Sequence, residues 1–100
     1  MANVLSVIAK LSAKPGQGDA LAPILREQVA AVLKAEPDCL VYRLHRSKKH
    51  PDLFLFYEQY RSDAAFDLHR KAPHLAAFRE RRDPLVAGPP EVEFYLSVTD

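Results

Sequence analysis

The chain has 100 residues, 48% of them hydrophobic and 27% charged, with a formal net charge of +1. That composition excludes a disordered chain, and the near-neutral charge excludes a global field that would recruit nucleic acid or an anionic membrane. Cys39 is the only cysteine, which excludes an internal disulfide and the paired thiols of most structural zinc sites.

The start, Met1-Ala2-Asn3-Val4, has neither the basic opening nor the apolar core of a secretion signal, and no stretch approaches the roughly 20 apolar residues of a membrane span. A cytoplasmic protein of one domain, residues 1–100, is the expectation. From Val4 to Ser12, Leu5, Val7, Ala9 and Leu11 alternate with Val4, Ser6, Ile8 and Lys10, which predicts a first strand. Lys14-Pro15-Gly16-Gln17-Gly18 breaks the pattern. Leu21, Ile24, Leu25, Val29, Val32 and Leu33 then fall on one stripe at helical spacing, predicting a helix over Asp19–Ala35 that Glu36-Pro37-Asp38 stops.

A second strand is expected over Cys39–Arg46, followed by a basic, solvated hairpin tip, His45 to Asp52. The third strand, Leu53-Phe54-Leu55-Phe56-Tyr57-Glu58-Gln59-Tyr60, is apolar on both faces, which implies a central strand covered on both sides. Ser62 is the expected N-cap of a helix over Asp63–Arg70, with Ala65, Phe66 and His69 on one side. Pro73 opens another short helix that stacks His74 and Phe78 one turn apart and closes in Arg79-Glu80-Arg81-Arg82-Asp83. A Gly/Pro connection over Leu85–Pro90 leads to a last strand carrying Val92, Phe94, Leu96 and Val98 on one face.

Strand-helix-strand twice over predicts an α+β fold of ferredoxin-like βαββαβ type, an antiparallel sheet with its helices on one face. Ile8, Val41 or Tyr42, and Leu53 with Leu55 or Phe54 with Phe56 give the other face apolar character too. A bare apolar sheet exceeds what monomers leave exposed, so two copies packed together are expected, a homodimer.

The block Glu58-Gln59-Tyr60-Arg61-Ser62-Asp63-Ala64-Ala65 with His69-Arg70-Lys71-Ala72-Pro73-His74 resembles the signature of the antibiotic biosynthesis monooxygenase family. So do Val7-Ile8-Ala9 running into Lys14-Pro15-Gly16, and Ala35-Glu36-Pro37-Asp38-Cys39-Leu40-Val41-Tyr42. The resemblance implies a dimeric α+β barrel with a pocket between sheet and helices. It also implies a monooxygenase that oxidises a small aromatic, a phenol, quinol or polyketide-like compound, with molecular oxygen and no cofactor. Many relatives carry tryptophan where Tyr60 stands, and this chain has none. That departure, with Asn3 a poor positional match, argues against the haem-degrading branch.

Such chemistry needs a base near neutrality to deprotonate the substrate, and histidine is the natural group. His74 and His69 are the candidate catalytic bases, with Tyr60 as pocket wall or phenolic donor. Phe54, Phe56, Glu58, Phe66 and Phe78 are the candidate substrate-lining residues, Glu58 also being able to orient a histidine. The blander alternatives are a helix C-cap for His69, structural bonds for His74 and Glu58, core or dimer-face places for Tyr42 and Tyr95, and an inert buried filler for Cys39. His69 and His74 are five apart with Pro73 between them, not the one-turn spacing of two imidazoles on one helix face, so no metal site is expected. A non-oxygenase binding or isomerising domain and a pure dimerisation module are the competing function classes.

Overall fold

In the computed structural model, which describes residues 4–99, the period-two runs form strands and the apolar stripes form helices. The order is β1 (Leu5–Ser12), α1 (Gly18–Ala35), β2 (Cys39–Arg46), β3 (Leu53–Tyr60), α2 (Asp63–Lys71), α3 (Pro73–Arg82), a 3-10 turn (Asp83–Leu85) and β4 (Glu91–Leu96). The strands form one antiparallel sheet ordered β2-β3-β1-β4, the ferredoxin-like α+β arrangement. Asn3 lies outside the described residues.

Alternation sends Leu5, Val7 and Leu11 of β1 and Phe54, Phe56 and Tyr60 of β3 to the face covered by the helices. They pack there on Leu21, Leu25 and Val32 of α1 and Leu75 and Phe78 of α3. Each such fully buried side chain contributes about 1.5–3 kcal/mol relative to exposure. Sequence places Leu33 on the buried stripe of α1, yet it is 52% exposed, and Gln28 is buried instead. The buried positions Leu21, Leu25, Gln28 and Val32 advance by four, three and four residues, and Leu33 falls about 100° off that line. The Gln28 Nε2 is left without a hydrogen-bond partner among the described residues.

Between Cys39 and Val41 the β2–β3 register slips by one residue, leaving Cys39 opposite Tyr60 and Tyr42 opposite Glu58. Strict alternation would put Cys39 and Tyr42 on opposite faces; the extra residue brings both to the covered face. β3 is central, as its composition implies, but its outer face is not covered within this chain: Leu53, Leu55 and Tyr57 are half-buried. β4 is an edge strand whose Val92, Phe94 and Leu96 point inward by register yet stay 43%, 54% and 59% exposed. Phe66 of α2 meets the Phe94 ring edge-on at 5.2 Å, and the strand is otherwise left half open. Val98 falls beyond β4 and is almost fully exposed.

The ends of the helices set the site. Gln17, at the N-cap of α1, makes no side-chain cap bond; the Asp52 carboxylate, from the β2–β3 hairpin, instead accepts the Gly16 and Gly18 amides at 2.9 Å each. Gly18 is required there, because a Cβ would stand 2.5 Å from the Pro51 carbonyl oxygen and 2.8 Å from Asp52 Oδ1. At its other end α1 stops on Glu36, held extended by the following Pro37. Ser62 caps α2, its hydroxyl accepting the Ala65 amide at 3.2 Å. Ala72 is extended and breaks the chain between α2 and α3, with Pro73 opening α3.

Candidate active site

On one continuous helix, residues five apart point about 140° away from each other. The break at Ala72 cancels that divergence, and His69 from the last turn of α2 and His74 from the first turn of α3 converge on Glu36. His69 Nδ1 lies 3.0 Å from each Glu36 oxygen, and His74 Nε2 lies 2.5 Å from Oε2. A carboxylate only accepts, so both ring nitrogens donate to it, and Nε2 of His69 is left as a lone-pair acceptor.

His69 is 4% exposed, with its ring packed between those of Tyr42, Tyr60 and Phe66 at centroid distances of 5.5, 5.2 and 6.0 Å. Burial pulls its pKa below the ordinary histidine value, partly opposed by the Glu36 carboxylate, so the ring is neutral at physiological pH. A neutral imidazole oriented by a buried carboxylate can accept a proton.

His69 forms part of the wall of a cleft of about 120 Å³ between the sheet and helices α2 and α3. Tyr42, Phe56, Glu58, Phe66 and Phe78 line it further, and Arg70, Arg79 and Arg82 stand around it. Larger depressions lie elsewhere, and two of them hold candidate site residues. A groove of about 600 Å³ between α1 and the edge of β2 holds Phe54 and Tyr42, but no acid or imidazole. A recess of about 450 Å³ holds Glu36 and His74 on the side away from the aromatic cleft. The Glu36–His69–His74 cluster therefore presents His69 to the cleft and His74 to the outer recess.

Of the residues singled out in the sequence, Phe56, Glu58, Phe66, His69 and Phe78 meet at this cleft. Phe54 lines the groove over β2, His74 the recess, and Tyr60 is fully buried and outside the cleft lining. The Tyr60 hydroxyl donates to Glu58 Oε1 at 2.6 Å, and burial with that neighbour pushes its own pKa up. The carboxylate that orients a histidine is Glu36, which the sequence did not single out, rather than Glu58. A signal was available: a carboxylate at a helix C-terminus opposes the helix dipole and needs a local partner. Cys39 is buried and its thiol is pushed up to about 12, chiefly by burial, so it stays protonated and inert.

Burial pushes Glu58 up to about 7, against the lowering effect of the Tyr60 hydroxyl and with help from the Glu36 charge. The protonated form is thus favoured by folding. Its contribution to stability is complete below the unfolded value near 4.5 and is lost as pH rises through about 7. Glu58→Gln removes this titration, so the melting temperature of the variant minus that of the wild type is expected to climb between pH 5 and pH 8. A pH-independent difference in thermal melts would contradict the assignment.

The family model for antibiotic biosynthesis monooxygenases matches residues 4–81. An uncharacterised protein of Synechocystis is 34% identical over 62 residues, and the chain spans 42% of that relative's length. A Mycobacterium tuberculosis protein named as a putative monooxygenase is 34% identical over 89 residues, which covers 89% of this chain and 86% of that one. The crystal structure of a putative antibiotic biosynthesis monooxygenase from Caulobacter crescentus superposes with a TM-score of 0.91 at 28% identity, covering 98% of this chain and 92% of that one. The family match spans strands β1 to β3 and the segment that carries Glu36, Glu58, His69 and His74, and the chain belongs to the antibiotic biosynthesis monooxygenase family.

Proposed function

We propose that the protein is a cofactor-independent monooxygenase for a small aromatic, a phenol, quinol or polyketide-like compound, with molecular oxygen as co-substrate. The observation that carries the reading is the buried His69 imidazole, held by Glu36, in the wall of an aromatic-lined cleft. His69 Nε2 takes the phenolic proton, and the electron-rich anion left in a low-dielectric cleft is the species that reduces oxygen. For a quinol, one oxygen atom enters the ring and the other leaves as water, and the four electrons come from the substrate as it becomes the hydroxyquinone. His74 holds Glu36 from the opposite side as a positioning residue.

Two copies complete the assembly in this reading. The half-open inner face of β4, with Val92, Phe94 and Leu96, and the half-buried outer face of β3 supply the apolar surface for a homodimer. Sedimentation as a monomer at micromolar concentration would remove that part. The single buried, free cysteine suits the cytoplasm.

A second reading has its own support. Glu58, poised near neutrality, shares the cleft with His69, and two proton-transfer groups around one ligand suit an isomerase that needs no oxygen. Oxygen uptake by the purified protein on a panel of phenols and quinols separates the two. Catalysed uptake, with turnover lost under anaerobic conditions, supports the monooxygenase; turnover that persists without oxygen supports the isomerase.

A further inference from the structure

The stripe of α3 that faces the sheet is not wholly apolar. Leu75, Phe78, Arg79 and Arg82 fall at helical spacing on that one side, and all of them line the cleft. Arg81, by contrast, pairs with Glu27 of α1 at 2.9 Å. The Arg82 guanidinium stacks over the Phe78 ring at 5.3 Å and its side chain is only 14% exposed, so it is held at the cleft by its packing. Arg70 stands there too, from the end of α2.

Carboxylates near these cations are few. Asp67 takes Arg70 at 3.0 Å and Asp83 takes Arg82 at 3.2 Å, both at exposed positions. Arg79 has no carboxylate partner among the described residues. Glu36 lies behind His69 and is occupied by the two imidazoles, and Glu58 is occupied by the Tyr60 hydroxyl. Arg79 is therefore a spare donor fork at the cleft, one turn from the packed Arg82 guanidinium, whose remaining N–H groups can share an anion with it. Its volume sets a second limit: about 120 Å³ is close to the roughly 150 Å³ of a cavity that accommodates benzene.

We propose that the ligand of this cleft is a single-ring hydroxyaromatic that carries a separate anionic group, a carboxylate held by Arg79 and Arg82 while the ring lies among Phe56, Phe66 and Phe78. This deepens the monooxygenase reading and rests on it for the identity of the site. It narrows the substrate class against neutral quinols and against fused polycyclic compounds.

The test is anaerobic titration calorimetry, so that binding is measured apart from oxidation, with three probes: 2,5-dihydroxybenzoate, its methyl ester, and 1,4-dihydroxy-2-naphthoate. The acid is expected to bind about tenfold or more tighter than the ester, and added salt is expected to weaken only the acids. Arg79→Gln and Arg82→Gln are expected to bring the acid-to-ester ratio close to one, and Arg81→Gln to leave it unchanged. Equal binding of acid and ester, a ratio that survives both cleft variants, or no binding of any probe below millimolar concentration would overturn the proposal. A naphthoate that binds as tightly as the benzoate would overturn the single-ring limit. Failure of the monooxygenase reading looks different: the acid binds with the arginine dependence described, yet admitting oxygen produces no catalysed uptake. Efficient uptake with neutral quinols, unaffected by Arg79→Gln, would leave that reading standing and sink this one.

Discussion

Substituting phenylalanine for His69 is expected to lower the catalysed oxidation rate about 10²- to 10⁴-fold while the chain stays folded. The magnitude is that of removing a positioned general base. Phenylalanine keeps the ring that packs between Tyr42, Tyr60 and Phe66 and deletes both nitrogens, so stability is expected to fall only by the cost of the lost bond to Glu36, about 1–3 kcal/mol, and the loss of rate in the still-folded variant separates chemistry from packing. His74→Ala leaves the His69–Glu36 pair in place and opens only the outer recess, so its loss is expected to be about tenfold, the scale of a supporting partner. Its rate should also fall at a different pH from the wild type, because the group that shares Glu36 with His69 is gone. Steady-state oxygen uptake as a function of pH checks both variants.

Glu36→Ala is expected to have the largest effect on stability, about 3 kcal/mol, because it removes the common acceptor of two imidazole donors at a largely buried position. For a chain of this length that corresponds to a fall of about 12–24 °C in melting temperature. Glu36→Gln should cost less, since an amide oxygen can still accept from one ring while its NH₂ faces the other, which must then change tautomer. The same loss is expected in activity, because His69 then has no group to fix Nε2 as the acceptor. Thermal melts of the two variants side by side check the order; an alanine variant as stable as the glutamine variant would show that the carboxylate does not hold α1, α2 and α3 together.

Local patterning was enough to place the strands and helices. Alternation from Leu5 to Leu11, the stripe from Leu21 to Val32 and the Ser62 and Pro73 signals depend only on neighbouring residues, and each has its element in the structure. What escaped depends on distant ones. The bulge that turns Cys39 and Tyr42 to one face, the capping of α1 by Asp52 and the burial of Gln28 in place of Leu33 are settled by which strand or hairpin lies opposite. β4 reads as a half-buried strand by alternation, yet its inner face stays half open, because coverage is a property of the layer above and not of the strand.

The site divides in the same way. His69, Phe66 and Phe78 were legible from helical spacing, and Phe56 and Glu58 from strand alternation, and these share the cleft. Glu36 was not, because its role comes from a helix end meeting a helix break 33 residues later. The spacing of His69 and His74 excludes a shared face on one helix, but two helices joined through the extended Ala72 bring both rings to Glu36 without one. Arg79 and Arg82 read as mixed charge at a helix end, and only the packing of α3 on the sheet turns them toward the cleft.

In the proposed reaction a proton taken by His69 commits a bound aromatic to reaction with oxygen. Mass spectrometry of the product formed under ¹⁸O₂, using 2,5-dihydroxybenzoate and a set of simple quinols with the wild type and His69→Phe, tests it most directly. One ¹⁸O atom is expected in the ring-oxygenated product of the wild type and the second in water, with the labelled product reduced at least about 10²-fold in the variant. A product without label, or label incorporated at the same rate by His69→Phe, would contradict it.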